Sequence, residues 1–481
     1  MIKFVPIPRV QLSDLAREFL VCGAQLAIQH HDELMTCETG VLEHLGERPV
    51  TRDSAFPVGS VTKAFTATLA MMSVSDGDVS LDTPLGGLLP ELGEIGGRLT
   101  LRRLLSHTAG LACEPDELSS VSLRRCVADH CTEHDLVLSP GTGFSYSNLG
   151  YSVVGRLIEV LTGMTWADAL SSLLLKPLGI EPTFVRPAVL GAAPRPAASG
   201  HSVTANPERI RPVRQSLTPA EAPAGALAVS AMDLVELGRL HLSPGSPWLL
   251  PPEHARLMRE PVPGADPLGL ADGWGLGLAL FGGAQADGGQ ADGGQADGAR
   301  PQPGGATWAG HDGNADGTSC HFRVDPAGEW IIALTTNSST GTGLWRRLCE
   351  VLIEAGVPLP ESPPTAAHPG EKTVHPGEKT AHPGPGEELP ADCAGVYANG
   401  DTEYVVTGPG DRAAGPWTLT ASGADLGLLP SSGEDLTFAL LDHATGQRLP
   451  GGRFRRDPVT GRVSGLLVSG RVARRVEAGE A

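Results

Sequence analysis

The stretch that most constrains this chain is Phe56-Pro57-Val58-Gly59-Ser60-Val61-Thr62-Lys63-Ala64-Phe65-Thr66-Ala67-Thr68-Leu69-Ala70. After Pro57 and Gly59 the composition turns helical, and Lys63 is the one charge in the run. The spacing predicts Ser60 at its start and Lys63 on the same face one turn later. A serine hydroxyl becomes a nucleophile when a base takes its proton, and a lysine can be that base when burial or nearby positive charge favours its neutral form. The positive end of the helix also favours a developing oxyanion.

The pattern needs partners, and the 481 residues leave room for a large catalytic domain plus a smaller one. A formal net charge of −19 without any basic block argues against nucleic acid as a partner. Met1 to Pro8 holds no apolar signal core and no run approaches eighteen apolar residues, so no membrane partner and a cytoplasmic location are expected. The eight cysteines are scattered without paired spacing, which fits buried, reduced thiols.

Along the chain, Gln11 to Val21 reads as an amphipathic helix and Gly23–Ile28 with Leu34–Leu42 as a strand pair. Leu101 to Leu111 reads as a short helix ending at Gly110. Further helices are expected at 122–131, 149–161, 166–174, 231–242, 252–259 and 344–354. Cys320–Val324 and Trp330–Thr335, joined by Asp325-Pro326-Ala327-Gly328, predict an antiparallel hairpin at the end of a sheet. The expected core is thus a sheet drawn from both ends of the first domain with a helical block between. Gln285-Ala286-Asp287-Gly288-Gly289 and its repeats read as a loop, since a period of five does not match a nine-residue calcium repeat. His368, His375 and His382 recur within a Pro/Gly-rich tether, which is read as a linker and not a metal site. Past Pro390 about eight short strands parted by Gly, Asp and Pro predict a small meander barrel, separate from the catalytic part. The expected division is 1–360 catalytic, 361–390 linker and 391–481 β domain.

Two further clusters supply the chemistry. Ser145-Tyr146-Ser147-Asn148 precedes a helix, so Tyr146 and Asn148 can face one cleft. Tyrosine can relay a proton beside a cation, and asparagine can both donate and accept. Only four tyrosines occur in the chain, which sets Tyr146 apart. Gly310-His311-Asp312-Gly313-Asn314 opens the last strands. There Gly313 would let a substrate lie against the strand and His311 would donate a proton or stabilise charge. The N–H of Asn314 would complete an oxyanion hole with that of Ser60. Singly, Tyr146 could cap a helix, Asn148 could be an N-cap and His311 to Gly313 an ordinary turn; together and in this order they are specific.

Ser60-x-x-Lys63, Tyr146-x-Asn148 and His311-x-Gly313 resemble the three motifs of the serine β-lactamase and penicillin-binding-protein superfamily. The segments 104–111 and 273–277 are similar to its class C and D-peptidase branch, although class C β-lactamases carry lysine where this chain has His311. Phe56–Leu69, Ser145–Gly155, Pro219–Ser230 and Gly310–Cys320 are similar to the penicillin-binding-protein-type thioesterases of nonribosomal peptide pathways, the surugamide-cyclase-like group. That resemblance implies an α+β catalytic domain, an antiparallel sheet flanked by helices with a helical subdomain, followed by a small all-β lipocalin-like barrel. It implies a stand-alone cyclase without cofactor or metal. Such an enzyme takes a peptidyl group from a carrier-protein phosphopantetheine thioester onto Ser60 and releases it as a head-to-tail macrolactam, with a D-configured C-terminal residue. Catalysis would fall to Ser60, Lys63, Tyr146, Asn148 and His311, with Ser60, Gly313 and Asn314 at the oxyanion. The β domain would then help to close the cleft, with Arg471, Arg474 or Arg475 reaching it, although solvated strand arginines are the favoured reading.

The alternative is a hydrolase of the same fold: a D-amino-acid esterase, amidase or transacylase, or a class C β-lactamase-like enzyme. A catalytically dead binding domain is disfavoured by the intact Ser60, Lys63, Tyr146 and Asn148. Cys126, His130, Cys131 and His134 imitate a metal cluster, but Cys131 points away from the face that Cys126 and His130 share, so core thiols and surface histidines are expected. Neither Cys22 nor Cys320 lies beside a base, and Gly273–Gly277 lacks the helix and acidic partner of a dinucleotide loop.

Overall fold

A computed structural model describes residues 9–113, 122–185, 195–205, 208–282, 308–360, 389–400, 402–408, 417–421, 424–430, 436–442, 448–457 and 459–476. The Gln285 repeats and the histidine-bearing tether lie outside the described residues. In chain order the first part holds α1 (Arg9–Glu18), β1 (Gly23–His30), β2 (Glu33–Gly40), β3 (Phe56–Pro57), α2 (Thr62–Ser75), α3 (Leu101–Leu105), α4 (Leu123–His130), α5 (Asn148–Thr162) and α6 (Trp166–Ala169). It continues with β4 (Gly200–Ala205), β5 (Glu208–Val213), α7 (Ala222–Gly225), β6 (Ala228–Val229), α8 (Ala231–Arg239), α9 (Pro252–Met258), β7 (Gly273–Trp274), β8 (Ala279–Phe281), β9 (Trp308–Ala315), β10 (Thr318–Asp325), β11 (Trp330–Thr336) and α10 (Gly341–Glu354).

The main sheet runs β2-β1-β11-β10-β9-β8-β7, so both ends of the domain do meet in it. The β10–β11 hairpin is its centre, not its end, because β1 pairs with β11 in register Ala27↔Ala333 and closes that side. Every residue of β10 and β11 is buried. One face packs on α1 and α10 through Leu12, Trp345 and Leu348, the other on the α-helical block through residues such as Phe65 and Val235. A sheet covered on both faces loses the two-residue alternation of a half-solvated one. The helix expected at 101–111 stops at Leu105, because His107 takes a left-handed φ of 56° that no helix continues through.

Strands β12 (Gly395–Asn399), β13 (Thr402–Thr407), β14 (Thr418–Ala421), β15 (Ala424–Pro430), β16 (Thr437–Asp442), β17 (Arg448–Arg456), β18 (Val463–Val468) and β19 (Arg471–Val476) form a closed antiparallel barrel in sequence order, sealed by β19 on β12. Tyr397, Leu419, Phe454 and Leu466 fill it. The barrel is not separate from the catalytic part. Asn399 Oδ1 accepts from the Cys113 N–H at 2.7 Å, the Val472 N–H donates to Ser145 Oγ at 3.3 Å, and Leu467 and Val472 pack with Ala112 and Val137. The alternating pattern that identifies a strand says nothing about what its end touches. All eight cysteines are free and seven are buried, Cys126 and Cys131 in the main core.

Candidate active site

The nucleophile turn is set by backbone packing. Residues 59–61 make one tight 3-10 turn that runs into α2. Gly59 has φ 50°, and a side chain there would meet the Asn314 carbonyl at 2.6 Å. Gly313 is equally constrained: a Cβ would sit 1.9 Å from the Val58 carbonyl. The glycine therefore lets β9 lie on the nucleophile turn, a packing demand that the sequence reading of room for substrate did not include. Gly313→Ala is expected to cost about 3 kcal/mol of stability, seen as a fall in thermal midpoint with loss of acylation. An unchanged midpoint would mean that the strand and turn separate freely.

Lys63 is wholly buried. Its Nζ donates to Ser60 Oγ at 3.1 Å and to the Ala224 carbonyl at 2.9 Å, and it lies 5.0 Å from the centroid of the Tyr146 ring and 5.6 Å from that of Tyr151. The hydroxyls of α2 fix the segment that supplies this carbonyl: Thr62 Oγ1 accepts from the Leu227 N–H and Thr66 Oγ1 donates to the Pro223 carbonyl. An amine bonded to the Ser60 hydroxyl and anchored on the Ala224 carbonyl, over two phenol rings, is placed to take a proton from Ser60.

Tyr146 and Asn148 flank the cap of α5. Ser147, not Asn148, is the cap: its Oγ accepts from the Gly150 N–H at 2.9 Å and donates to the Ala112 carbonyl at 2.6 Å. The Asn148 N–H donates to the Cys113 carbonyl, and the Tyr146 N–H donates to the Gly470 carbonyl of the barrel. His107 Nδ1 accepts from the Ser147 N–H at 3.1 Å while its ring lies 4.3 Å from that of Tyr146. Trp274 closes the box around Tyr146 at 5.9 Å.

His311 lies in the same enclosure, 6.4 Å from Tyr146 and 5.4 Å from Trp274 between ring centres. Its Nδ1 stands 2.6 Å from the Asp312 carbonyl. A carbonyl only accepts, so Nδ1 carries the proton and Nε2 is left as an acceptor. Burial, reinforced by the charge of Lys63, pushes His311 down to about 4. At neutral pH it is a neutral acceptor and not the proton donor the sequence suggested. Behind it, burial alone would raise the Asp312 carboxyl, but Arg323 and His321, bonded to it at 2.7 and 2.8 Å, hold it well below the usual range.

Burial also keeps His107 neutral, well below its ordinary value, and lowers His241 to about 3. In the unfolded chain these three histidines take a proton near pH 6.5. Their folded values are depressed, so the stability they confer is full above about pH 6.5 and is lost as the pH falls toward 4. Each contributes up to about 1.4 kcal/mol per pH unit in that window. The thermal midpoint is expected to drop steeply from pH 6.5 to 4.5; a flat profile there would show that the rings are solvated.

Ser60 opens onto a cavity of about 270 Å³ bounded by Gly59, Asn148, Glu221, Asn314 and Asp316 among others. The structure thus brings Ser60, Lys63, Tyr146, Asn148, His311 and Asn314 to one place, with Gly313 packed beneath. Arg471 carries more than its sequence context suggests. Its guanidinium lies 5.6 Å from the centroid of the Tyr146 ring and its Nε 3.0 Å from Cys113 Sγ. Arg474 is exposed, and Arg475 bonds barrel carbonyls such as Ala394. Strand alternation separates 471 from 474, but only the docking of the barrel singles out 471.

The family model described as Beta-lactamase matches residues 12–352. "Penicillin-binding protein 4" of Amycolatopsis lactamdurans is 34% identical over 385 residues, 74% of this chain and 92% of that protein. The crystal structure of SurE is 38% identical and superposes with a TM-score of 0.77 over 97% of this chain and 98% of that one. The structure of SurE with D-Leu gives 0.74 at the same identity and coverage.

Proposed function

The chain belongs to the beta-lactamase family, and within it we propose that it is a stand-alone peptide cyclase acting on a carrier-protein peptidyl thioester. One observation carries the reading: the barrel, present also in the full-length likeness to SurE, lays Arg471 and the Gly470 carbonyl directly against Tyr146. A roof over the catalytic tyrosine limits the approach of water to the ester on Ser60, and water exclusion is what separates cyclisation from hydrolysis.

In this reading Lys63, with Tyr146, takes the Ser60 proton as Oγ attacks the thioester carbonyl. The C–S bond breaks, the proton passes to the leaving thiolate, and the peptide is held as an ester whose oxygen developed charge beside the N–H groups of Ser60 and Asn314. The amine at the peptide's own N-terminus then attacks the ester. Its proton returns through Tyr146 and Lys63 to Ser60 Oγ, closing a lactam. The neutral His311, whose buried Nε2 has no partner among the described residues, is left to accept from the bound substrate and carries no charge through the cycle. The D-Leu bound to SurE supports a D-configured C-terminal residue. A substrate delivered on a carrier protein implies a reaction in the cytoplasm.

The test is a linear peptidyl thioester ending in a D-residue, with its L-ended counterpart as control, and the products identified by mass. Cyclic peptide from the D-ended substrate is expected. Linear acid alone would favour the esterase or amidase alternative, and absence of any adduct on Ser60 would sink both.

A further inference from the structure

Between Gly200 and Gln215 this acidic chain has three arginines and one acid, Glu208. The segment folds as the β4–β5 hairpin, which its sequence pattern does not announce, and its register pairs Ser202 with Arg211 and Thr204 with Arg209. Paired residues project to one side of a sheet. Past Gly200 and the half-buried Val213 at its base, that side is therefore two hydroxyls and two guanidiniums, all exposed, whereas His201 is buried and Val203 and Ile210 are half-buried on the other. Neither Arg209 nor Arg211 has a carboxylate partner among the described residues.

The hairpin is fastened at the rim of the catalytic cavity. The His201 N–H donates to the Gly317 carbonyl and the Val203 N–H to Ser339 Oγ. A Cβ on Gly200 would stand 2.2 Å from the Asp316 carbonyl, which in turn accepts from Gln215 Nε2 at 2.7 Å. Asp316 and Gln215 both line the cavity into which Ser60 faces. Arg209 lies four residues beyond Val213, roughly 13 Å along the strand. A polar outer face whose cations have no carboxylate partner among the described residues, anchored on the cavity wall in a chain of charge −19, is a docking strip for an anionic partner.

We propose that Arg209 and Arg211 dock the carrier protein, meeting an acidic surface and the phosphodiester of its prosthetic arm so that the thioester reaches Ser60. This rests on the cyclase reading above. Because the strip lies outside the catalytic enclosure, it serves the encounter and not the chemistry. Charge at an interface rim changes association rate and salt dependence more than it changes bond-making.

The experiment compares wild type, Arg209→Glu/Arg211→Glu and Arg209→Lys/Arg211→Lys on one peptide presented as carrier-bound thioester and as N-acetylcysteamine thioester, and also measures affinity for the carrier without turnover. The double glutamate protein is expected to lose about tenfold in kcat/KM and in affinity with the carrier. It should stay within twofold on the small thioester, and the double lysine protein should retain most of both. Equal losses on both substrates would reduce the strip to a structural role, and unchanged carrier affinity would overturn the proposal. Wild type that binds the carrier through these arginines yet forms no cyclic product would instead overturn the cyclase reading alone.

Discussion

Ser60→Ala is expected to lower turnover by about 10⁴-fold or more and to abolish the covalent adduct seen by intact-protein mass, with Lys63→Ala close behind. The two losses should not add. Lys63 Nζ lies 3.1 Å from Ser60 Oγ and is held there by the Ala224 carbonyl, so amine and hydroxyl act as one device. Once the hydroxyl is gone the base has nothing to deprotonate, and once the amine is gone the hydroxyl is an ordinary alcohol. The double variant should therefore be no slower than Ser60→Ala within about threefold. Losses that multiply would mean that Lys63 serves a separate step, and near-normal turnover by Ser60→Ala would remove the serine from the chemistry. Lys63→Ala also empties a fully buried site, so far-ultraviolet circular dichroism must accompany the kinetics.

What is legible in the sequence follows from how local each feature is. Ser60 and Lys63 share a helix turn, Tyr146 and Asn148 a cap, and the eight barrel strands carry their own turn residues, so spacing suffices for all of them. The roles of Gly313 and His311 escape the sequence because they depend on contacts distant along the chain or on tautomer. Gly313 answers to the Val58 carbonyl, and the proton of His311 is fixed by the Asp312 carbonyl. The β4–β5 hairpin escapes it because, among the described side chains, its inward face sets Val203 opposite Ile210 and His201 opposite Pro212, a weak apolar alternation that Pro212 interrupts. The position of the barrel over Tyr146 is not encoded in any strand pattern. Its anchors include single polar side chains, Asn399, Ser145 and Arg471, beside the apolar contact of Leu467 and Val472 with Ala112 and Val137.

Asn399 therefore offers the sharpest separation of roof from barrel. Its Oδ1 accepts from the Cys113 N–H and its Nδ2 donates to the Val472 carbonyl, both at 2.7 Å, and it is buried. The Cys113 carbonyl in turn accepts from the Asn148 and Leu149 N–H groups, so the bond reaches the start of α5 and the flank of Tyr146. Asn399→Ala strands two buried backbone groups at about 1–3 kcal/mol each and loosens Gly470 and Arg471 over the site. In the cyclase reading the ratio of cyclic to linear product is expected to fall about tenfold, the equivalent of about 1.4 kcal/mol in relative barriers, while formation of the acyl-enzyme on Ser60 changes little. Asn399→Asp keeps the acceptor for the Cys113 N–H but sets a buried carboxylate oxygen against the Val472 carbonyl, so its ratio should fall as well. If both variants lower the thermal midpoint yet leave the product ratio untouched, the barrel braces the fold without excluding water, and the selectivity must come from the cavity walls beside Ser60.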